Sequence, residues 1–319
     1  MKAGGKYGAL RILQLILALA LTAPAAAEPV EELDVGGGLF ALEWRGEFSA
    51  AGRRKLKSWL QSVAETMKKL HGTLPRSRTR IILEQFTSER YRSVSPVPFA
   101  RVLRSGDQGI LFYVNPAYPL DDFVSDWTAY HEFSHLFIPF PGRADIWFSE
   151  GLASYYQNVL QYRSGLLTEE QAWQKLYDGF ERGRVDNRYP EYTLADLCSN
   201  LRETHAFMRV YWTGALYFLE ADLKLRSRSE NRMTLDYVLQ TFGHCCLNEH
   251  KRWNGLNIAA EFDRIAGAEL FVPLYAQYEN STAIPDFVPV LNAAGVRISD
   301  GRVEPGTHTS MTDLPLRTE

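Results

Sequence analysis

The chain reads as an α+β protein, a small mixed β-sheet lobe followed by a mainly helical lobe. Three observations predict this. Up to about residue 115, short β-branched and aromatic runs alternate with turn residues around a single amphipathic helix. Beyond Pro116 helical periodicity takes over. At the junction, His131-Glu132-Phe133-Ser134-His135 sets two histidines four residues apart, on one face of a helix.

The elements follow in order. Lys2, Lys6 and Arg11, the apolar run Ile12 to Leu21 and the small residues Ala25-Ala26-Ala27 have the pattern of a secretory signal over residues 1–27. The apolar run is shorter than the roughly 20 residues a membrane span needs, so no stable span is expected once the signal is cleaved. The sheet lobe is expected over residues 28–138, ending in the motif helix. Within it, Gly36 to Trp44 reads as a strand after a glycine turn. Residues 50–71 form an amphipathic helix with Leu56, Leu60, Val63, Met67 and Leu70 at helical spacing. Thr79 to Phe86 is strand-like. Val97 to Leu103 and Gln108 to Val114 form a strand pair joined by Ser105-Gly106-Asp107. Asp121 or Asp122 is expected to cap one continuous helix running through the histidine motif to Pro139.

The helical lobe is expected over residues 139–303. A tight connection, Pro139-Phe140-Pro141-Gly142, leads into a helix from about Ala144 to Tyr162. Helical stretches at Thr168 to Gly183, Thr204 to Arg226 and Thr234 to Phe242 follow, then one apolar run, Phe287 to Leu291. Residues 304–319 are polar and read as a frayed tail.

Composition narrows the function classes. Removing Lys2, Lys6 and Arg11 with the leader takes the formal charge from −3 to −6, against a nucleic-acid partner. Aromatic residues make up 13 % of the chain, enough for a large apolar core around a deep cleft. An exported chain meets an oxidising compartment. Cys198, Cys245 and Cys246 cannot all pair within one chain. A bridge from Cys198 to either Cys245 or Cys246 is expected to leave one thiol over, with a three-cysteine zinc site the weaker alternative.

The histidine motif carries the chemistry. Both imidazoles can reach one metal ion, and Glu132, about 100° round the helix, lies close enough to serve a water there without ligating the metal. A third ligand is needed. Glu150, in Trp147-Phe148-Ser149-Glu150-Gly151, is the candidate, because an unpaired carboxylate beside Trp147 and Phe148 would be costly. Two imidazoles and a carboxylate suit one Zn2+ per chain.

At these residues a resemblance becomes specific. Trp147-Phe148-Ser149-Glu150-Gly151-Leu152-Ala153-Ser154-Tyr155-Tyr156 resembles the third-ligand segment of gluzincin metallopeptidases, most of all the glycyl aminopeptidase family, a relative of the aminopeptidase N family. Tyr211-Trp212-Thr213-Gly214-Ala215 is similar to the segment whose tyrosine stabilises the oxyanion in those enzymes. The likeness runs in one register over roughly residues 108–296, taking in Asp222 to Arg226, Thr234 to Leu239 and Phe271 to Gly295. It implies a thermolysin-like two-lobed zinc metallopeptidase acting on peptide substrates, with His131, His135 and Glu150 on the metal, Glu132 as general base and acid, and Tyr211 as oxyanion donor.

The departures are equally concrete. Only fourteen residues separate His135 from Glu150, so the loop Pro139 to Asp145 is short for these families. Thr213 replaces a lysine. The amino-terminal β-domain and PDZ module of the glycyl family have no counterpart, nor has the strand by which the aminopeptidase N family holds a free amino terminus. Aminopeptidase specificity therefore rests on resemblance alone. A catalytically silent zinc-fold module binding peptides or envelope partners is the rival reading, against which the intact Glu132 speaks. His205 is second to Tyr211 as oxyanion donor, and Tyr192, Tyr217 and Tyr237 also compete for that role. His71, His244, His250 and His308 have no ligating pattern. Gln108 to Tyr113 is a candidate edge strand for pairing with substrate backbone.

Overall fold

The computed structural model describes residues 30–86, 95–104, 108–247 and 251–306, apart from the side chain of His71. The leader, Ser105-Gly106-Asp107, His250, His308 and the tail from residue 307 lie outside the described residues.

The sheet lobe holds five strands in the order β1-β2-β3-β5-β4. They are β1 (Glu31–Asp34), β2 (Leu39–Arg45), β3 (Arg78–Gln85), β4 (Phe99–Leu103) and β5 (Gly109–Val114). β2, β3 and β5 run parallel, while β1 and β4 lie antiparallel at the two edges. Helix α1 (Ala50–His71) makes the crossover from β2 to β3. Ser49 caps its start by accepting the Gly52 N–H, and Gly72 ends it at φ 69°. Strand alternation sends Phe40, Leu42, Ile81, Leu83, Ile110 and Phe112 into the core, where Trp59 of α1 meets Phe112 at 5.2 Å. On the opposite face Glu43 pairs with Arg80.

The strand expected to be an edge, Gln108 to Tyr113, is interior. β5 is hydrogen-bonded on both sides, and its run Gly109-Ile110-Leu111-Phe112 is wholly buried, as a strand covered on both faces requires. The true edge is β4.

The helix expected to run unbroken from Asp121 is two helices, α2 (Leu120–Ser125) and α3 (Thr128–Ser134), followed by a single 3-10 turn at His135–Phe137. Asp126 stays extended between them and accepts the Thr128 N–H at 2.8 Å. The residue that starts the motif helix is thus Asp126, and Asp121 and Asp122 sit in the first turn of the preceding one. Ser95 holds the second Asp126 oxygen at 2.7 Å, joining this turn to the segment that leads into β4.

The helical lobe comprises α4 (Ile146–Arg163), α5 (Glu169–Val185), α6 (Leu194–Ser199), α7 (Leu201–Thr204), α8 (Phe207–Ser229), α9 (Leu235–Cys245), α10 (Gly255–Ala266), α11 (Phe271–Glu279) and α12 (Val288–Ala293). A hairpin, β6 (Val296–Ser299) and β7 (Arg302–Pro305), then docks on α5, with the Val303 N–H donated to Gln174. The tightest contact is between α4 and α8. Gly151 and Gly214 meet there so closely that a Cβ on Gly151 would fall 2.3 Å from backbone carbon of Gly214, and one on Gly214 2.1 Å from the Trp147 carbonyl oxygen. No helix among the described residues is long and apolar enough to cross a membrane.

The cysteines pair differently from expectation. Cys245 and Cys246 are bonded to each other, and Cys198 is a free thiol buried in α6. Cys198 packs inside the helical core, and the bond between the adjacent Cys245 and Cys246 leaves it no partner thiol.

Candidate metal centre

α3 and α4 pack side by side, and this brings the three expected ligands together. His131, His135 and Glu150 each offer a donor atom within 4.8 Å of the others, two of them buried and Glu150 nearly so. Glu150 Oε2 lies 3.2 Å from His131 Nε2 and 3.5 Å from His135 Nε2.

The outer ring nitrogens explain the orientation. His131 Nδ1 lies 2.9 Å from Gln157 Oε1, which can only accept, so Nδ1 carries a proton. His135 Nδ1 lies 3.0 Å from Ser149 Oγ, a hydroxyl that also receives a long 3.5 Å bond from Arg104 and can accept from the ring when Nδ1 carries the proton. Both Nε2 atoms face inward on the Glu150 carboxylate, and with the protons on Nδ1 both would present lone pairs there. Three acceptors on one point repel unless a cation or a shared proton sits among them, and this donor set fits zinc. Without a metal the shared charge is visible in the protonation. Burial pulls His131 down, but Glu150 outweighs it and raises the ring above its ordinary value. Burial takes His135 down to about 4, leaving it neutral and ready to ligate. Burial also opposes the Glu150 carboxylate, yet the two histidines hold it well below the usual range.

Glu132 does not join the ligand group. It is buried beside it, and burial, helped by the charge of Glu150, pushes its carboxyl up to about 7, against His131, Arg104 and a hydrogen bond from the Val102 backbone. Val102 lies on β4, the outer strand of the sheet among the described residues, and residues Phe99 to Val102 of that strand line the cleft.

Opposite, α8 supplies Tyr211, whose ring stacks over His131 at 6.5 Å. Burial, then the charges of Glu150 and Glu132, keep its phenol protonated far above the usual range, so its hydroxyl retains a proton to donate. The competing residues fall elsewhere. Tyr217 donates to the Phe271 carbonyl in the core, Tyr237 is about half exposed, and Tyr192 packs on Tyr189. His205 is exposed at the left-handed end of α7 and does not line the cleft. Thr213 is buried and points away from it.

The cleft between the lobes has a volume of about 910 Å³, walled by β4, α3, α4, α5 and α8. Gln157, Ser149 and Arg104 were not singled out by sequence. Gln157 carried a usable signal, since it lies two turns after Glu150 on the same face of α4. Arg104 had none, because its place beside Ser149 depends on how β4 meets α4.

Comparison with known proteins agrees with this geometry. Residues 141–216, which carry Glu150 and Tyr211, match the M61 glycyl aminopeptidase family. No curated protein sequence matches the chain. Among solved structures, an aminopeptidase N family protein from Idiomarina loihiensis is similar over 84 % of this chain and 49 % of its own, with 18 % identity and a TM-score of 0.61. An M1 zinc metallopeptidase from Deinococcus radiodurans is similar over 80 % of this chain and 52 % of its own, with 16 % identity and a TM-score of 0.47. The chain thus spans about half the length of these structures. The matched segment is similar to the glycyl aminopeptidase family, and the fold is similar to that of an aminopeptidase N family protein.

Proposed function

We propose that the chain is an exported zinc peptidase, holding one Zn2+ through His131, His135 and Glu150 and hydrolysing peptide bonds. One observation carries this reading: Glu132, buried and poised near neutrality, stands beside three converging acceptors without joining them. A merely structural metal site closes its fourth position and has no use for such a carboxylate.

Bound zinc would supply Lewis acidity for a carbonyl oxygen and acidify water. Glu132 takes the proton of the attacking water and passes it to the leaving amine, a transfer for which a pKa near the working pH is best. The Tyr211 hydroxyl donates to the oxygen on which negative charge develops. The free edge of β4 offers backbone groups to an extended peptide, replacing β5 in that role. Export rests on the basic, apolar and small-residue pattern of residues 1–27, and amino-terminal sequencing of protein from the producing cell tests it: a start at Glu28 is expected.

Turnover is tested with a mixed peptide library and zinc analysis. Cleavage lost in Glu132→Gln with about one zinc per chain retained supports the proposal. No cleavage by the wild type at any peptide length would leave the peptide-binding module. Resemblance favours an aminopeptidase, and acetylating the amino terminus of a cleaved peptide decides it: lost cleavage supports that specificity, and persistence means a cleft open at both ends.

A further inference from the structure

The charge of the cleft is not balanced. Among the described residues, apart from Glu132 and the ligand Glu150, the charged side chains lining it are Arg101, Arg104, Lys175, Arg182 and Asp178. Four cations thus face one carboxylate, and that carboxylate already accepts a hydrogen bond from Gln174. Among the described residues none of the four cations forms an ion pair, whereas Arg80, Arg163 and Arg226 elsewhere are paired with Glu43, Asp236 and Asp222.

Arg104 is the one that matters most. It follows the edge strand, its guanidinium is largely withdrawn from solvent, and Glu150 and Glu132 are near enough to feel its charge without bonding to it. Its contacts are the Phe140 ring at 4.7 Å, on the short loop after the motif, and the long bond to Ser149 Oγ. A guanidinium carries five N–H donors in a planar fork. Among the described residues the long bond to Ser149 is the one hydrogen bond this fork makes on the cleft wall, and a largely desolvated charge without a bonded carboxylate favours a ligand that brings one.

We infer that the cleft takes peptides carrying a carboxylate close to the scissile bond, and that Arg104 recognises it through its two-pronged fork. This rests on the peptidase reading of the site. The carboxylate comes from an aspartate or glutamate side chain or from the free carboxy terminus of a short peptide, two sources with one chemistry. The same cations oppose an ammonium at that place, so a free amino terminus is not what the cleft holds there.

The test uses matched peptides on the zinc-loaded protein. One pair carries Glu or Gln beside the scissile bond, and a second ends in a free or an amidated carboxy terminus. Wild type is expected to favour one carboxylate form by tenfold or more in kcat/KM, and which pair shows the ratio names the source. In Arg104→Gln the ratio falls to about one whatever the absolute rate, and Arg104→Lys restores part of it. Equal cleavage within both pairs, or a ratio that survives Arg104→Gln, overturns the inference. Binding of the same fluorescently labelled peptides to zinc-loaded Glu132→Gln decides the matter without turnover. Tenfold tighter binding of a carboxylate form upholds the inference even if no peptide is cut, and equal affinity overturns it even if peptides are.

Discussion

His131 and His135 are useful to a metal only while their inner nitrogens stay free of protons, and that depends on what their outer nitrogens touch. Gln157→Leu removes the acceptor that holds His131 in place, and zinc affinity should fall about 10–100-fold, measured by competition with a chromophoric chelator. Tyr211→Phe removes a donor that acts mainly on the transition state. It should lower kcat by about 10²-fold with KM and zinc content little changed, read from steady-state kinetics. Cys198 gives a chemical check on burial, which pushes its thiol up to about 12 and keeps it protonated at neutral pH. The native protein should resist alkylation and expose one thiol per chain on unfolding without reductant, counted by mass spectrometry. At this scale the ligands and Glu132 were legible because helical spacing is a local property. Ser149 and Arg104 were not, since each acquires its role from a neighbour distant in sequence. The cysteine pairing was missed because spacing says nothing about which thiol is buried.

The long helices α1, α4, α5, α8 and α9 were legible from their periodicity, whereas α6, α7, α10, α11 and α12 were not singled out. The break at Asp126 was hidden because Asp121 and Asp122 also look like caps, and only the bond from the Thr128 N–H selects Asp126. α11 carries Pro273 in its first turn, a tolerated place that still disguises a helix. Its start is capped from outside: the Asp263 carboxylate of α10 accepts the N–H groups of Leu270, Phe271 and Val272. No local pattern announces a cap borrowed from another helix. The α4–α8 contact makes the sharpest prediction at this scale. A methyl on Gly214 would press against main chain that cannot rotate away, so Gly214→Ala must part the two helices. We expect destabilisation of about 1–3 kcal/mol or more in urea unfolding. Because Glu150 and Tyr211 flank this crossing, zinc affinity and kcat should fall with stability, unlike in a cavity mutant of α1.

The α+β class with its sheet lobe and helical lobe was legible in the change of periodicity near Pro116. The order of the strands was not, because it depends on pairing between distant segments, although the unbroken apolar run of β5 against Arg101 in β4 was a usable sign of interior and edge. For the whole molecule, zinc held as proposed would be a cross-link between the motif segment and α4. Zinc binding the native state alone at a free concentration 100 times its Kd adds about 2.7 kcal/mol of stability. Chelation should therefore lower Tm by several degrees in a calorimetric scan, and Glu150→Ala should abolish the difference between chelated and loaded protein.

The open margin of β4 also bears on colloidal behaviour. A strand that leaves backbone groups bare for a peptide leaves them bare for its own kind, and Phe99 beside them is 54 % exposed. Two copies meeting antiparallel about the middle of Phe99–Leu103 would set Arg101 directly against Arg101. That repulsion protects the margin, and it weakens as salt shortens the reach of charge. Arg101→Val should make the protein self-associate at low ionic strength, where wild type stays monodisperse by light scattering, and salt should narrow the gap between them.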